Sequence, residues 1–157
     1  MNHTIYISVE SVAKTVYASS ALKSFMASES GSMPPLLTPD NRAAMSVAVR
    51  TAAHIDIPDL LGPSCAVYAN GDDILEITFD SAVTPSLSLV NTVESMLASR
   101  LLARLFSLAD KQFAVAADED ACRVAASVRA GLFPDSTDTS TTTDINDVPT
   151  AVIPIFC

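Results

Sequence analysis

The sequence predicts a mainly α fold, a small helical domain with a short β-hairpin and an extended C-terminal arm. The chain has 157 residues, the length of one domain, and 49% of them are apolar. Apolar residues recur at intervals of three and four through much of residues 9–132, which is the period of an α-helix. The remaining sequence is organised differently: a helical domain at 1–133 is followed by a polar Ser/Thr/Asp tether at 134–147 and an apolar, proline-containing arm at 148–157.

Two helices are predicted in the N-terminal half. Ser8 is placed to cap the first, whose apolar positions span residues 9–26 at helical spacing. A polar and proline-containing segment at 28–35 predicts a loop. The second helix has strong start signals, because Thr38 supplies a cap hydroxyl and Pro39 fits the first helical position.

The second helix is rich in alanine, and we expect either Pro58 or the pair Gly62-Pro63 to end it. Two short apolar runs follow, at residues 65–69 and 74–79. They flank an Asn70-Gly71 pair, which is typical of the tight turn of a β-hairpin.

The C-terminal part of the domain is predicted to be helical. The longest regular pattern covers residues 86–113, and a further helical pattern at 121–132 follows the acidic run 118–120. Gly131 is placed to end that pattern. Periodicity alone leaves open whether these residues form one bent helix or two.

Two arginines, Arg100 and Arg104, lie one turn apart on the long helix and form its basic face together with Lys111. The sequence allows two interpretations. The face is exposed and pairs with Glu94 or with the acidic tether, or it contacts an acidic surface of a partner. In the second case both arginines are interface residues.

The arm joins apolar and β-branched residues to a polar tether, a combination that needs a surface to cover it. It either folds back onto its own domain or docks on a neighbouring chain as an added strand or groove ligand. The residues predicted to make that contact are Val152, Ile153, Ile155 and Phe156.

Composition argues against several functions. Nine basic residues stand against eighteen acidic ones, a net charge of −9, so little positive charge is available for phosphates and no specific nucleic-acid binding is expected. No nucleotide-binding, hydrolase or metalloprotease motif occurs, and the chain has only two histidines, His3 and His54. The acidic clusters lack the order of a calcium loop. We therefore expect no catalytic residues, no cofactor and no metal.

The three cysteines are Cys65, Cys122 and Cys157, an odd number without Cys-x-x-Cys spacing. This pattern indicates neither a disulfide framework nor a zinc site, and the thiols are expected to be reduced, as in a cytosol. The N-terminus does not have the pattern of a secretory signal, and the apolar segments are interrupted every three or four residues. No membrane association is therefore expected.

The order of these elements resembles the head-tail connector proteins of tailed bacteriophages, also called adaptor, neck or head-completion proteins. The resemblance covers about residues 4–133. It depends on the segment Ser8-Val9-Glu10-Ser11-Val12-Ala13 that enters the first helix, on the small-residue face of the second helix and on the long helix at 86–113. The tether and the arm match no motif of that family.

The resemblance implies a non-enzymatic structural protein of the virion. It implies a homo-oligomeric ring in the phage neck, bound to the portal and to further neck or tail proteins, and made in the host cytoplasm before assembly. An acidic chain agrees with a lumen through which DNA slides. The alternative is a cytosolic helical module that binds one partner protein through its long helix.

Overall fold

A computed structural model describes residues 1–28 and 39–133 of the chain. In these parts, three helices pack on one face of a three-stranded antiparallel sheet and the fourth packs on the other helices, which confirms the mainly α class. The predicted loop at 28–35 lies outside the described residues except for its first residue, and the tether and the arm lie wholly outside them. The elements are β1 (Asn2–Ser8), α1 (Val9–Ser28), a 3-10 turn (Pro39–Asn41), α2 (Arg42–Leu61), β2 (Ala66–Asn70), β3 (Ile74–Asp80), α3 (Leu87–Phe106) and α4 (Lys111–Leu132).

The sheet contains the predicted hairpin and one strand more. Strands β2 and β3 pair antiparallel around a turn in which Gly71 has a φ of +78°, a conformation that glycine adopts without strain. The strand order is β1-β3-β2, so β1 pairs with the other side of β3. The hairpin prediction is confirmed, while β1 was not among the predicted elements.

Side-chain caps begin the first and third helices, and the cap at Ser8 is the one that the sequence predicts. The Ser8 hydroxyl accepts a hydrogen bond from the Ser11 N–H at 3.2 Å, and the Ser86 hydroxyl accepts one from the Leu89 N–H at 3.3 Å. Before α2, Pro39 begins a 3-10 turn instead of the α-helix itself. The predicted cap at Thr38 lies outside the described residues.

Gly62, and not Pro58, ends the second helix. Pro58 lies inside α2, where its missing N–H deprives only the carbonyl of His54 of an intrahelical partner. Gly62 has a φ of +115° and donates its N–H to the Pro58 carbonyl at 3.1 Å, a geometry that stops the helix.

The C-terminal pattern forms two helices. The predicted helix at 86–113 is wrong at its end, because α3 stops at Phe106 and a new helix begins after Asp110. The Asp110 carboxylate accepts a hydrogen bond from the Phe113 N–H at 3.0 Å and so caps α4. Gly131 does not end α4 but lies inside it.

The hydrophobic core lies between the helices and the inner face of the sheet. Side chains that alternate along β1 and β3 point into it and meet apolar residues of α1, α2 and α3. The largest fully buried side chains are Phe106, Ile7, Ile57, Leu60, Leu75, Ile77, Met96 and Leu97. In residues 1–28 and 39–133, no helix combines the length and the apolar character needed to cross a bilayer.

Candidate protein interaction surfaces

The two predicted interface arginines lie in a cluster of charges between three helices. Arg104 and Arg100 of α3 both approach the Asp56 carboxylate of α2, the first in a direct ion pair and the second at 3.5 Å. Arg100 also lies 3.4 Å from the Asp59 carboxylate and forms an ion pair with Asp118 of α4. We call these five residues the ionic cluster.

Helical spacing explains why the cluster forms. Arg100 and Arg104 are one turn apart, as are Asp56 and Asp59, so each pair projects from one side of its helix. The side chain of Asp56 is 0% exposed, and its second carboxylate oxygen has no hydrogen-bond partner in the described residues. Burial raises the pKa of Asp56, and the Arg104 and Arg100 guanidinium groups act against that rise.

The cluster leaves little free positive charge. Two guanidinium groups face three carboxylates, which gives the cluster a formal charge of −1 when all are ionised. The Arg100 side chain is 17% exposed and that of Arg104 is 40% exposed. Their contact with a partner stays a prediction.

The predicted pairing of these arginines with Glu94 is wrong. Glu94 instead accepts hydrogen bonds from the Ser8 N–H at 3.0 Å and from the Ser11 hydroxyl at 2.6 Å. It therefore acts as a second cap at the start of α1, supplied by another helix. The sequence signal that was missed is Asp56 with Asp59, two acids at helical spacing in an alanine-rich segment.

The outer face of the sheet forms a second surface. One row of side chains crosses its three strands and consists of Tyr6, Glu76 and Tyr68. The two tyrosines are 55% and 56% exposed, and Ile74 in the next row is also exposed. Within the described parts of the chain no layer covers this face, so aromatic side chains that usually prefer burial meet solvent.

Among the described residues, no strand pairs with the edge of β1 that faces away from β3, and this edge is a third surface. Val9 donates its N–H to the Asp73 carbonyl at 2.9 Å, and Ser81 donates to the Met1 carbonyl at 3.0 Å. Because antiparallel pairing alternates, the odd-numbered residues of β1 share hydrogen bonds with β3 and the even-numbered ones point their backbone groups outward. The outward residues are Asn2, Thr4, Tyr6 and Ser8.

A cavity of about 240 Å³ lies between the first halves of α1 and α2. Its lining is mainly apolar, with Val9, Ala13 and Tyr17 among the residues that form it. At the rim, Glu10 pairs with Lys14 at 3.3 Å and with Arg42 at 2.9 Å. These charged groups satisfy one another.

The other predicted candidates lie apart from one another. His54 is exposed on α2, and the His3 ring lies 3.1 Å from the Ser81 carbonyl. Of the acidic residues near the hairpin, Asp72 pairs with Arg50 at 3.2 Å. Across the described ranges, no three histidine, cysteine or acidic side chains come close enough to hold a metal ion.

Cys65 and Cys122 differ in oxidation state. Cys65 is a free, buried thiol, as the sequence predicts, and burial raises its pKa. Cys122 is half-buried and takes part in a disulfide, so the prediction of a reduced thiol is wrong there. The spacing of the cysteines carried no information about this pairing.

Comparison with protein-family models, with curated proteins and with solved structures finds no match for the chain. Any functional conclusion therefore depends on the surfaces described above.

Proposed function

We propose that the chain is a non-enzymatic structural protein of the virion. In this proposal identical copies form a ring in the neck of a tailed phage and join the portal to further neck or tail proteins. The observation that carries the proposal is the uncovered outer face of the sheet, where Tyr6 and Tyr68 stand half-exposed on either side of Glu76. An exposed aromatic row of this kind is typical of a surface that binds another protein.

A ring needs two different surfaces on each copy, because head-to-tail contacts join unlike patches. The sheet supplies one surface. The second is the apolar segment 148–157, with Val152, Ile153, Ile155 and Phe156 as its predicted contact residues. This pair of unlike surfaces supports a ring more than a two-fold dimer.

The distribution of charge supports a passive role toward DNA. All nine basic residues lie in the described parts of the chain, and seven of them form ion pairs with carboxylates of the same chain. Little positive charge is left to neutralise phosphates, so DNA that passes through the ring would not be held by it.

The test is a measurement of mass by light scattering and native mass spectrometry. Full-length protein is measured alone and after mixing with assembled portal, and we expect an oligomer under at least one condition. A matched chain that ends at residue 147 should assemble less well while its helical circular dichroism stays nearly unchanged. A full-length chain that stays monomeric in both measurements refutes the ring and favours the module that binds one partner.

A further inference from the structure

We infer that Glu76 on the outer face of the sheet binds Arg129 of α4 from a second copy of the chain. In this contact the Arg129 guanidinium lies between the Tyr6 and Tyr68 rings and pairs with the Glu76 carboxylate. The inference rests on the proposed function and deepens it, because it names what covers the outer sheet face on which the ring depends. Both surfaces belong to residues that the structure describes.

Glu76 is a half-buried carboxylate without a cation from its own chain. In residues 1–28 and 39–133, the acidic side chains with neither an ion pair nor a hydrogen bond are Asp40, Asp73, Glu76 and Glu119. The other three are exposed, whereas Glu76 is half-buried. Because charges attract more strongly where water is partly excluded, Glu76 gains more from a cation than the exposed acids do.

Tyr6 and Tyr68 complete a site for that cation. They lie on the strands on either side of β3, each directly opposite Glu76 in its pairing. Neighbouring strands are about 4.8 Å apart, so the backbones of the two tyrosines are about 10 Å apart. A cation between the rings and above Glu76 is then about 5 Å from each ring, inside the range of about 6 Å in which cations bind aromatic faces.

The sheet itself supplies no basic side chain for Glu76. Its three strands contain neither lysine nor arginine. Asp80, the other acidic side chain on the outer face, pairs with the N-terminal amine. The outer face therefore presents one unpaired negative charge, that of Glu76, to a neighbouring molecule, and a basic side chain complements it.

Arg129 is one of two basic residues without an ion pair in the part of the chain that the structure describes. The other is Lys111, and both are exposed on α4. Arg129 suits the site better, because a planar guanidinium stacks on aromatic rings and can donate two hydrogen bonds to one carboxylate. The exposed residues near it on the helix, Ala126 and Ala130, are short and leave room for the tyrosine rings.

The contact joins two copies and not two parts of one. Within the described residues of one chain Glu76 and Arg129 form no ion pair, and α4 packs mainly on α3 and α2. One copy therefore offers Glu76 to one neighbour and Arg129 to another, a head-to-tail contact between unlike surfaces, as a ring requires. The tether and the arm follow α4 in the sequence, so they belong to the same copy as this Arg129.

Charge reversal in the full-length chain tests the pair. Glu76→Arg sets two cations against each other and Arg129→Glu two anions, so each should raise the dissociation constant between copies about tenfold or more. The double variant restores opposite charges and should return the constant to within about threefold of the wild type. Sedimentation velocity at several concentrations measures the constants, and far-UV circular dichroism checks that each variant folds.

Lys111→Glu is the matched control for Arg129→Glu. Lys111 lies eighteen positions before Arg129, which places it on the same side of α4 and about 27 Å away. The net charge changes equally in the two variants, but Lys111→Glu should change association less than about threefold. Glu76→Gln removes the charge and keeps the shape, so it should weaken association less than Glu76→Arg. Equal effects of Lys111→Glu and Arg129→Glu would refute the pair.

Mass and charge reversal together separate this inference from the ring. If the wild type forms a closed oligomer and either single reversal assembles equally well, the pair is refuted and the ring stands. Weakened single variants whose combination does not recover also refute the pair. Recovery in assemblies that grow with concentration, without reaching one mass, supports the pair and refutes the ring. A wild type that stays monomeric in every measurement refutes both.

Discussion

The ionic cluster and the edge of β1 differ in where their polar groups find partners. The cluster buries Asp56 completely and surrounds it with charged groups of its own chain, so its interactions are nearly all internal. The β1 edge carries no charge, and in the described residues the outward backbone groups of Asn2, Thr4 and Tyr6 have no backbone partner. Arg100 and Arg104 therefore join helices of their own chain. The uncharged edge of β1 is the better surface for a partner.

The largest effect on the free energy of unfolding is expected when the ionic cluster loses Arg104, which pairs directly with Asp56. Arg104→Met keeps the aliphatic part of the side chain but removes the ion pair with the buried Asp56. We expect a loss of about 2–3 kcal/mol in the free energy of unfolding, because a buried carboxylate is left with only the longer contact to Arg100. Chemical denaturation measures it.

The control for this variant is Arg123→Met. Arg123 pairs with Asp120 within the same helix, and its side chain is largely exposed. Exposed pairs contribute little, so the expected change is within about 0.5 kcal/mol. Equal losses in the two variants would contradict a special role for the ionic cluster.

Glu94 caps α1 and also accepts a hydrogen bond from the last outward N–H of β1, that of Ser8. Glu94→Ala should lower the free energy of unfolding by about 1–2 kcal/mol, because Ser8 and Ser11 both lose an acceptor. Glu119→Ala on the exposed side of α4 is the control, with an expected change below about 0.5 kcal/mol. Thermal unfolding of both variants and of the wild type measures the two losses of stability.

The sequence predictions that are confirmed at single residues depend on local contacts. The cap at Ser8 and the turn at Gly71 depend on residues at most four positions apart, and both are confirmed. The strand β1 depends on pairing with residues more than sixty positions away, which no local pattern shows. The sequence left open whether the C-terminal residues form one helix or two, and the predicted helix end at residue 113 was wrong because Phe106 and Phe113 continue the apolar spacing across the break.

The same limit applies to the candidate surfaces. Arg100 and Arg104 were found as a pair because one turn separates them, but their partners Asp56 and Asp118 come from two other helices. Asp56 and Asp59 share one side of α2, but their spacing does not show which basic residues of another helix they meet.

A third prediction concerns how stability depends on pH in the cluster. Burial raises the pKa of Asp56 in the folded protein, so between its usual value of 3.8 and the raised value the folded state binds more protons than the unfolded state. Its contribution to stability therefore falls as pH rises through that window. In Asp56→Asn this contribution is absent.

The measurement is the difference in free energy of unfolding between the wild type and Asp56→Asn at several pH values. We expect the wild type to lose stability relative to the variant as pH rises above 3.8. Asp80 and Asp110 have lowered pKa values, through the N-terminal amine and Lys23 respectively, but they are present in both proteins and cancel in the difference. A difference that grows with pH would show that the arginines outweigh burial.

The smallest effect on stability is expected on the outer face of the sheet. Substitutions there should alter the association of copies more than the folding of one copy. Tyr6→Ser with Tyr68→Ser should change the free energy of unfolding of the monomer by about 1 kcal/mol or less, since both side chains are half-exposed. If this face joins copies, the same double variant should shift the oligomer to smaller species in light scattering. Leu108→Ser removes a fully exposed apolar side chain from the turn between α3 and α4 and should leave the oligomer intact. A double variant that assembles like the wild type would take the tyrosine row out of the interface and remove the observation that carries the proposed ring.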